Sequence, residues 1–310
     1  MVDIDFVIPV KHNNFLIRTV IECVYSFYKP RNIYIITSSI FIDEIAADCK
    51  QWYVADNIVF LDEDVFFMKN YNLLKSDIEK MYFYKDEDSR EFGWWYQQVL
   101  KLGSAYQIET LSDPYVVWDS DLVSLKKWEI ESPESADEYK FAILQEKSKN
   151  DWNKQQYAAS IRDLIDMEAV EPDSGGTFVP HHFVFHHCVI KTLLRYIMID
   201  IDSQNWIERI MGLSHKYYRF SEYKCVATFM RRFYPELLVY HDFEMYGKTG
   251  VRYRESEEIV KKIKGQCILP AVGMSYVDFC KFVENNFPEM PSYVQIEHLV
   301  CTSEDLHPCM

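Results

Sequence analysis

The sequence contains two aspartates separated by one residue, directly after an apolar run. Asp119 and Asp121 follow Val116-Val117-Trp118, a run that is typical of a buried strand. Because side chains alternate along an extended backbone, both carboxylates can point to the same side. Paired carboxylate oxygens suit Mg²⁺ or Mn²⁺, whose coordination a diphosphate and water would complete. The alternative is a solvated turn in which Asp121 caps the segment that follows.

The elements that precede this pair predict a parallel sheet. Strands and helices alternate, which is typical of parallel strands joined by right-handed crossover helices. The aspartates then fall at the carboxyl end of the fourth strand, and in open parallel sheets that edge binds ligands. We predict strands at 4–10, 32–37, 57–61 and 114–118, and helices from Phe15 to before Pro30, near 41–52 and at 92–107.

The later part of the chain is predicted to be mainly helical. Ser221 is a suitable N-cap for a helix that begins at Glu222, and Pro235 ends that helix. The segment 177–190 contains four histidines, of which His181 and His182 would face opposite ways on a strand. Helices are expected at 155–167, 189–199, 205–213, 222–233, 255–264 and 276–286, and strands at 141–144 and 237–240.

The composition excludes several classes of function. The formal net charge is −15 and no Lys/Arg block occurs, whereas a nucleic-acid-binding protein normally presents a basic face. The same acidity argues against binding to an anionic membrane surface. The eight cysteines form no CxxC pair, which favours buried reduced thiols over disulfides or zinc. With no signal peptide and no apolar run long enough to span a bilayer, we expect a soluble, cytoplasmic protein.

Four blocks of the sequence resemble glycosyltransferases of the GT-A type. They are Asp5–Lys11, Tyr34–Thr37, Gly93–Lys101 and Trp118–Asp121, and the likeness extends over about residues 3–245. Among these enzymes the chain resembles a small family from bacteria and large DNA viruses, in which the nearest member is expected to be a viral xylosyltransferase. The resemblance implies an α/β fold of the GT-A (Rossmann-like) kind, with a mainly parallel sheet flanked by helices in a single domain.

The resemblance also implies a division of the chain. Residues 1–250 would form the glycosyltransferase domain, with a nucleotide-sugar half at about 1–125 and an acceptor half at about 126–250. Residues 251–310 would form a C-terminal helical extension and tail packed on the same domain.

Positions that match the motifs of these enzymes give an expected metal site. Asp119 and Asp121 match the metal-binding DxD motif, with Mn²⁺ or Mg²⁺ as the ion. His241 has the chain position of the third metal ligand in such enzymes. His182 and Asp242 are the alternatives, either for the metal or for the acceptor.

The nucleotide-sugar would bind at the ends of the first, second and fourth strands and on the helix that precedes the fourth. Lys101 would offset diphosphate charge, although an ordinary polar helix face explains Lys101 and Gln98 nearly as well. The residues expected to bind the nucleotide-sugar are Pro9, Val10, Lys11, Thr37, Ser38, Gln98, Lys101, Asp119 and Ser120.

Glu222 matches the chain position of the catalytic carboxylate of inverting enzymes. Such a base removes the proton of the acceptor hydroxyl as that hydroxyl attacks the anomeric carbon. The simpler interpretation is structural, because Ser221 is a good N-cap and a first-turn glutamate is favoured by the helix dipole.

The function predicted from the sequence is a metal-dependent glycosyltransferase, either a hexosyl- or a pentosyltransferase. It would move a sugar from a nucleotide diphosphate sugar, a UDP-sugar such as UDP-xylose, to a hydroxyl of a glycan, with inversion. The alternatives are a nucleotidyltransferase and a nucleotide-sugar-binding protein without turnover. The released product separates the two kinds of transferase, because one releases a nucleoside diphosphate and the other pyrophosphate.

Overall fold

The fold is known from a computed structural model of the chain. It describes residues 3–51, 57–83, 89–132, 135–141, 151–173, 176–199, 203–216, 218–240, 243–253, 276–286 and 292–296.

A five-stranded sheet in the order β3-β2-β1-β4-β8 forms the centre of the molecule. The pairs β1–β2, β2–β3 and β1–β4 are parallel, and β8 pairs antiparallel with β4. The prediction of a mainly parallel α/β sheet flanked by helices is therefore confirmed. Its strands are β1 (Asp5–Pro9), β2 (Ile33–Thr37), β3 (Ile58–Asp62), β4 (Tyr115–Trp118) and β8 (His182–Phe185).

Helices cover both faces of this sheet. Asn14 caps α1 by accepting a hydrogen bond from the backbone N–H of Leu16, and Ser221 caps α9 in the same way through Lys224. The helices are α1 (Phe15–Tyr28), α2 (Ser39–Gln51), α3 (Met68–Tyr71), α4 (Lys75–Met81), α5 (Ser89–Gln107), α6 (Asp151–Ile165), α7 (His187–Tyr196), α8 (Trp206–Met211), α9 (Glu222–Phe233) and α10 (Tyr276–Asn286).

Two apolar cores lie on the two faces, because successive side chains of each strand point in opposite directions. On β1, Val7 belongs to the core that contains α5, α7 and α9. Its neighbours Phe6 and Ile8 belong to the core that contains α1. Since the inner strands are buried on both faces, they appear in the sequence as continuous apolar runs.

Two smaller sheets flank the central one. Their orders are β10-β11-β5 and β6-β7-β9. In the first, β11 pairs antiparallel with β5, the strand that directly follows the two aspartates. The strands are β5 (Leu122–Ser124), β6 (Glu131–Ser132), β7 (Ser135–Phe141), β9 (Val239–Tyr240), β10 (Val251–Tyr253) and β11 (Tyr293–Ile296).

Some predicted elements differ from the structure. The strand predicted at 237–240 is reduced to β9, because Pro235–Leu237 forms a 3₁₀ turn. The strand predicted at 141–144 overlaps β7 at Phe141 alone, because β7 ends there. Residues 142–144 and the helix predicted at 255–264 lie outside the described residues. Helix α7 ends at Tyr196 rather than at 199.

In the described part of the chain, none of the helices is long and apolar enough to cross a membrane. The described cysteines are free thiols: Cys23, Cys49, Cys188, Cys225 and Cys280.

Candidate active site

Asp119 follows β4 at the carboxyl edge of the central sheet and is 7% exposed. Its two carboxylate oxygens have different partners. Oδ1 accepts a hydrogen bond from the Tyr223 hydroxyl at 2.8 Å and lies 2.5 Å from the Lys101 ammonium. Oδ2 lies 2.8 Å from Nδ1 of His181. One oxygen is therefore held by the protein interior, and the other faces a metal-ligating type of side chain.

His181 reaches this position through an uncommon backbone conformation. Its φ angle is 60°, in the left-handed region that residues other than glycine rarely adopt. Its carbonyl oxygen accepts a hydrogen bond from the backbone N–H of Asp119 at 2.8 Å, and β8 begins at the next residue. The left-handed residue thus turns the chain into β8 and sets the imidazole against Asp119. Strain of this kind is concentrated at functional sites, where the surrounding structure holds it.

Asp121 completes a cluster of three side chains. Its Oδ1 is buried and has no hydrogen-bond partner within the described part of the chain. Its Oδ2 lies 3.4 Å from Nε2 of Gln295. One ligand atom each from Asp119, Asp121 and His181 lie within 4.8 Å of one another. Because an unpartnered buried oxygen costs about 1–3 kcal/mol, this arrangement suits a bound cation.

Lys101 is a buried cation between two carboxylates. Besides contacting Asp119, its ammonium lies 2.7 Å from Oε1 of Glu222, and Lys101 and Glu222 are 1% and 3% exposed. The same ammonium lies 4.6 Å from the ring centroid of Tyr223. Gln98 supports the network, because its Oε1 accepts a hydrogen bond from the backbone N–H of Glu222 at 3.1 Å. Lys101 thus contacts two protein carboxylates, whereas the expected partner was a diphosphate.

The charges of this network shift its pKa values in different directions. Burial alone would raise the pKa of Asp119, but the Lys101 ammonium and the hydrogen bond with His181 outweigh burial and hold that pKa well below its usual value. Burial raises the pKa of Asp121, and the charge of Asp119 acts in the same direction. Burial also raises the pKa of Glu222, against the opposing effect of Lys101. Asp119 is therefore the carboxylate that stays ionised most strongly.

The residues present fit a divalent cation. Two carboxylates and an imidazole are common ligands of divalent ions such as Mn²⁺, and Mg²⁺ favours the carboxylates. When the three carboxylates are ionised and the lysine is charged, Asp119, Asp121, Glu222 and Lys101 together carry a charge of −2. A divalent ion neutralises this charge, whereas a monovalent ion leaves an unbalanced buried charge.

The residues expected to bind the nucleotide lie at the carboxyl ends of β1 and β2. Pro9 ends β1, Val10 is buried, and Lys11 is exposed. Thr37 ends β2 and is buried, and its hydroxyl has no partner among the described residues. Ser38 donates a hydrogen bond from its hydroxyl to the Asp64 carboxylate at 3.3 Å.

The remaining predicted site residues differ in where the structure places them. Ser120 lies half-buried between the two aspartates. His182 is fully buried, with its Nδ1 2.7 Å from the carbonyl oxygen of Pro180 and its ring 4.1 Å from that of Trp128. The structure therefore places His182 in an aromatic core and brings its neighbour His181 to the aspartates. The expected ligand His241 and the alternative Asp242 lie outside the described residues.

Three residues that contact the two aspartates were not identified from the sequence. His182 was expected as an alternative ligand rather than His181, and the left-handed conformation that turns the His181 ring towards Asp119 has no signal in the sequence. Tyr223 lies in the amphipathic helix α9, where a tyrosine is expected to pack in the core. Gln295 comes from a strand 174 residues away in the chain from Asp121.

The chain matches one known family over most of its length. Residues 2–256 match DUF6492, described as a family of unknown function. The chain belongs to this family. No curated protein matches the chain in sequence. Among solved structures, mouse xyloside xylosyltransferase 1 in its apo form is similar, with 12% identity, a TM-score of 0.46 and coverage of 99% of this chain and 100% of that chain.

Two further solved structures are similar to this chain at lower TM-scores. An active-site mutant of LgtC has 10% identity and a TM-score of 0.39, over 94% of this chain and 87% of that chain. The 4-diphosphocytidyl-2C-methyl-D-erythritol synthase of Anaerococcus prevotii has 8% identity and a TM-score of 0.32, over 70% and 86%. At these identities the similarity concerns the fold alone.

Proposed function

We propose that this member of DUF6492 is a divalent-cation-dependent glycosyltransferase that uses a nucleotide diphosphate sugar. The observation that carries the proposal is the cluster of Asp119, Asp121 and His181 at the carboxyl edge of a mainly parallel sheet. The unpartnered Oδ1 of Asp121 adds to it, because a cation would satisfy that buried oxygen. The DxD pattern and its preceding strand motifs resemble those of GT-A enzymes and favour sugar transfer over other uses of a metal.

Each residue of the network has a role in this proposal. When bound, a cation offsets the charge that develops on the departing diphosphate. Tyr223 and Lys101 both contact Oδ1 of Asp119 and so restrict the rotation of its carboxylate. Oδ2 therefore stays directed towards the cation site. The carboxyl ends of β1 and β2, with Val10, Lys11 and Thr37, would receive the nucleoside of the donor.

The finer parts of the proposal follow from the sequence motifs. The donor is a UDP-sugar, with UDP-xylose as one candidate, and the acceptor is a hydroxyl of a glycan. Glu222 is the carboxylate proposed as the base of an inverting reaction. Its burial and its ion pair with Lys101 also give it a second role, as the counter-ion that keeps Lys101 charged beside Asp119.

The test is a panel of nucleotide diphosphate sugars incubated with the protein and Mn²⁺, with the nucleotide products separated by chromatography. The proposal predicts release of a nucleoside diphosphate, loss of that release in excess chelator, and recovery on adding Mn²⁺ or Mg²⁺.

A parallel incubation with nucleoside triphosphates and sugar phosphates separates the alternatives. Pyrophosphate formed from a nucleoside triphosphate and a sugar phosphate would indicate a nucleotidyltransferase instead. Binding of a nucleotide sugar without any released product would indicate a sensor. Asp121→Asn supplies the matched variant, because it keeps the shape of the side chain and removes the charge of the carboxylate, so it should abolish release.

A further inference from the structure

Gln295 lies outside the residues that match the family, yet it reaches the cluster of Asp119, Asp121 and His181. It is 2% exposed and stands on β11, opposite Leu122 of β5 in the antiparallel register. Because Leu122 directly follows Asp121, this register brings the Gln295 side chain to the second aspartate. Its Nε2 lies 3.4 Å from Oδ2 of Asp121 and 3.2 Å from Nδ1 of His181.

Nδ1 of His181 has two neighbours with which it cannot form good hydrogen bonds at the same time. Its Nδ1 lies between Oδ2 of Asp119, at 2.8 Å, and the amide nitrogen of Gln295, at 3.2 Å. If Nδ1 carries a proton, it can donate to Asp119 but then meets another N–H at Gln295. If Nδ1 carries a lone pair, it can accept from Gln295 but then faces a carboxylate oxygen. Neither tautomer satisfies both neighbours.

We propose that Gln295 is the fourth protein ligand of the divalent cation of the proposed function, through its amide oxygen. A half-turn of the terminal amide exchanges the positions of its nitrogen and oxygen, which are nearly the same in size. Amide oxygens are ordinary ligands of hard divalent cations. With the oxygen turned inward, Asp119, Asp121, His181 and Gln295 would each offer a lone pair to a shared cation, and the conflict at His181 disappears.

The separations between neighbouring ligand atoms agree with this assignment. In an octahedral site with bonds of about 2.1 Å, adjacent ligand atoms lie about 3.0 Å apart. Oδ2 of Asp119 lies 2.8 Å from Nδ1 of His181, and that Nδ1 lies 3.2 Å from Nε2 of Gln295, whose place the amide oxygen would take. The same place lies 3.4 Å from Oδ2 of Asp121, which would be the ligand atom of Asp121 or share that role with Oδ1. These three separations are close to the spacing of neighbouring ligands in one coordination sphere.

With Gln295 as a ligand, strand β11 becomes part of the metal site. Strand β11 is held by β5 and β10, and the backbone N–H groups of Leu125 and Lys126 donate to the carbonyl oxygen of Ser292. These contacts fix the backbone of the strand independently of any metal. Gln295 is therefore presented to the cluster by a preformed element, as expected of a ligand in a built site.

The test is the affinity for Mn²⁺ alone, measured by calorimetry on the full chain. Gln295→Met keeps the length of the side chain and removes its amide. It should weaken Mn²⁺ binding at least as much as the loss of an outer-shell partner does, which is about 10–100-fold. Gln295→Glu puts an anionic oxygen in the same place and should bind Mn²⁺ at least as tightly as the wild type. Gln155→Met changes an exposed glutamine of α6 and should leave the affinity unchanged.

Water-proton relaxation gives a second readout, because it counts the water molecules bound directly to Mn²⁺. Loss of a protein ligand in Gln295→Met should add one such water, which a purely structural role of Gln295 would not do. Wild-type affinity in Gln295→Met, or equal weakening in Gln295→Glu and Gln295→Met, would overturn the assignment. If the wild type itself binds no Mn²⁺, the cation of the proposed function fails as well, so the two failures are distinguishable.

Discussion

Replacing Lys101 by methionine tests the network behind the aspartates. Methionine fills most of the volume of the lysine stem but leaves Asp119 and Glu222 without their shared cation. Since all three side chains are less than a tenth exposed, solvent screens this loss only slightly. Breaking a buried ion pair by removing one partner costs about 3–5 kcal/mol. We therefore expect the free energy of unfolding of metal-free Lys101→Met to fall by about that amount.

The control is Lys224→Met. Lys224 is as buried as Lys101, but its partner Glu171 has a side chain that is 42% exposed. Without Lys224, Glu171 remains hydrated, so the loss should be no more than about 1 kcal/mol. Denaturant unfolding of both variants, with the chelator present throughout, measures the difference. Equal losses in the two variants would refute the reasoning, because they would show that Lys101 is not compensating two buried charges.

Mn²⁺ should stabilise Lys101→Met more than Lys224→Met, whose cation site is unchanged. Without Lys101 the network carries one more negative charge, so Mn²⁺ should stabilise Lys101→Met more than it stabilises the wild type. The double variant with Glu222→Gln should lose less than Lys101→Met alone, since one of the two uncompensated carboxylates is then neutral. Additive losses in this double-mutant cycle would mean that Lys101 and Glu222 do not interact in solution.

Three further predictions concern His181, Glu222 and two glycines. His181→Ala should weaken Mn²⁺ affinity about 10–100-fold in calorimetry, and unchanged affinity would remove His181 from the site. Glu222→Gln should lower turnover about 10²–10⁴-fold if Glu222 is a base, by more than the Mn²⁺ affinity falls, because the variant also removes one negative charge from the network. Turnover and affinity that fall in parallel would assign Glu222 to support of the network instead. Gly103→Ala should destabilise by about 1–3 kcal/mol, because the new methyl group would lie 2.5 Å from the Phe67 ring. The methyl group of Gly212→Ala would meet no atom of the described residues within 4 Å, so this variant should be neutral or slightly stabilising in the same unfolding assay. Equal effects of the two alanines would argue against the clash.

Much of the fold could be predicted because its signals are local. Strands β1 to β4 are apolar runs, and the N-caps Asn14 and Ser221 mark the starts of α1 and α9. Strand β8 was not predicted, since its four residues begin with His182 in a histidine-rich segment and show no alternating pattern. Its antiparallel pairing with β4 depends on tertiary contacts that the chain order does not reveal.

The candidate site divides in the same way. The two aspartates could be predicted, because they follow a strand whose place in the sheet is clear. The histidine beside them could not, because strand periodicity gives no means of predicting a left-handed residue at His181. Lys101 and Glu222 were both selected, but as separate contacts with substrate rather than as partners of each other. Only the packing of α5 against α9 brings them together.

The most direct test of the central claim is a crystal structure of the protein soaked with Mn²⁺ and UDP, using anomalous scattering to locate the metal. The account predicts one strong anomalous peak in contact with Asp119, Asp121 and His181, with the diphosphate of UDP completing its coordination. No peak at this cluster under saturating Mn²⁺, or a peak bound by other residues while UDP occupies the carboxyl edge of the sheet, would contradict it.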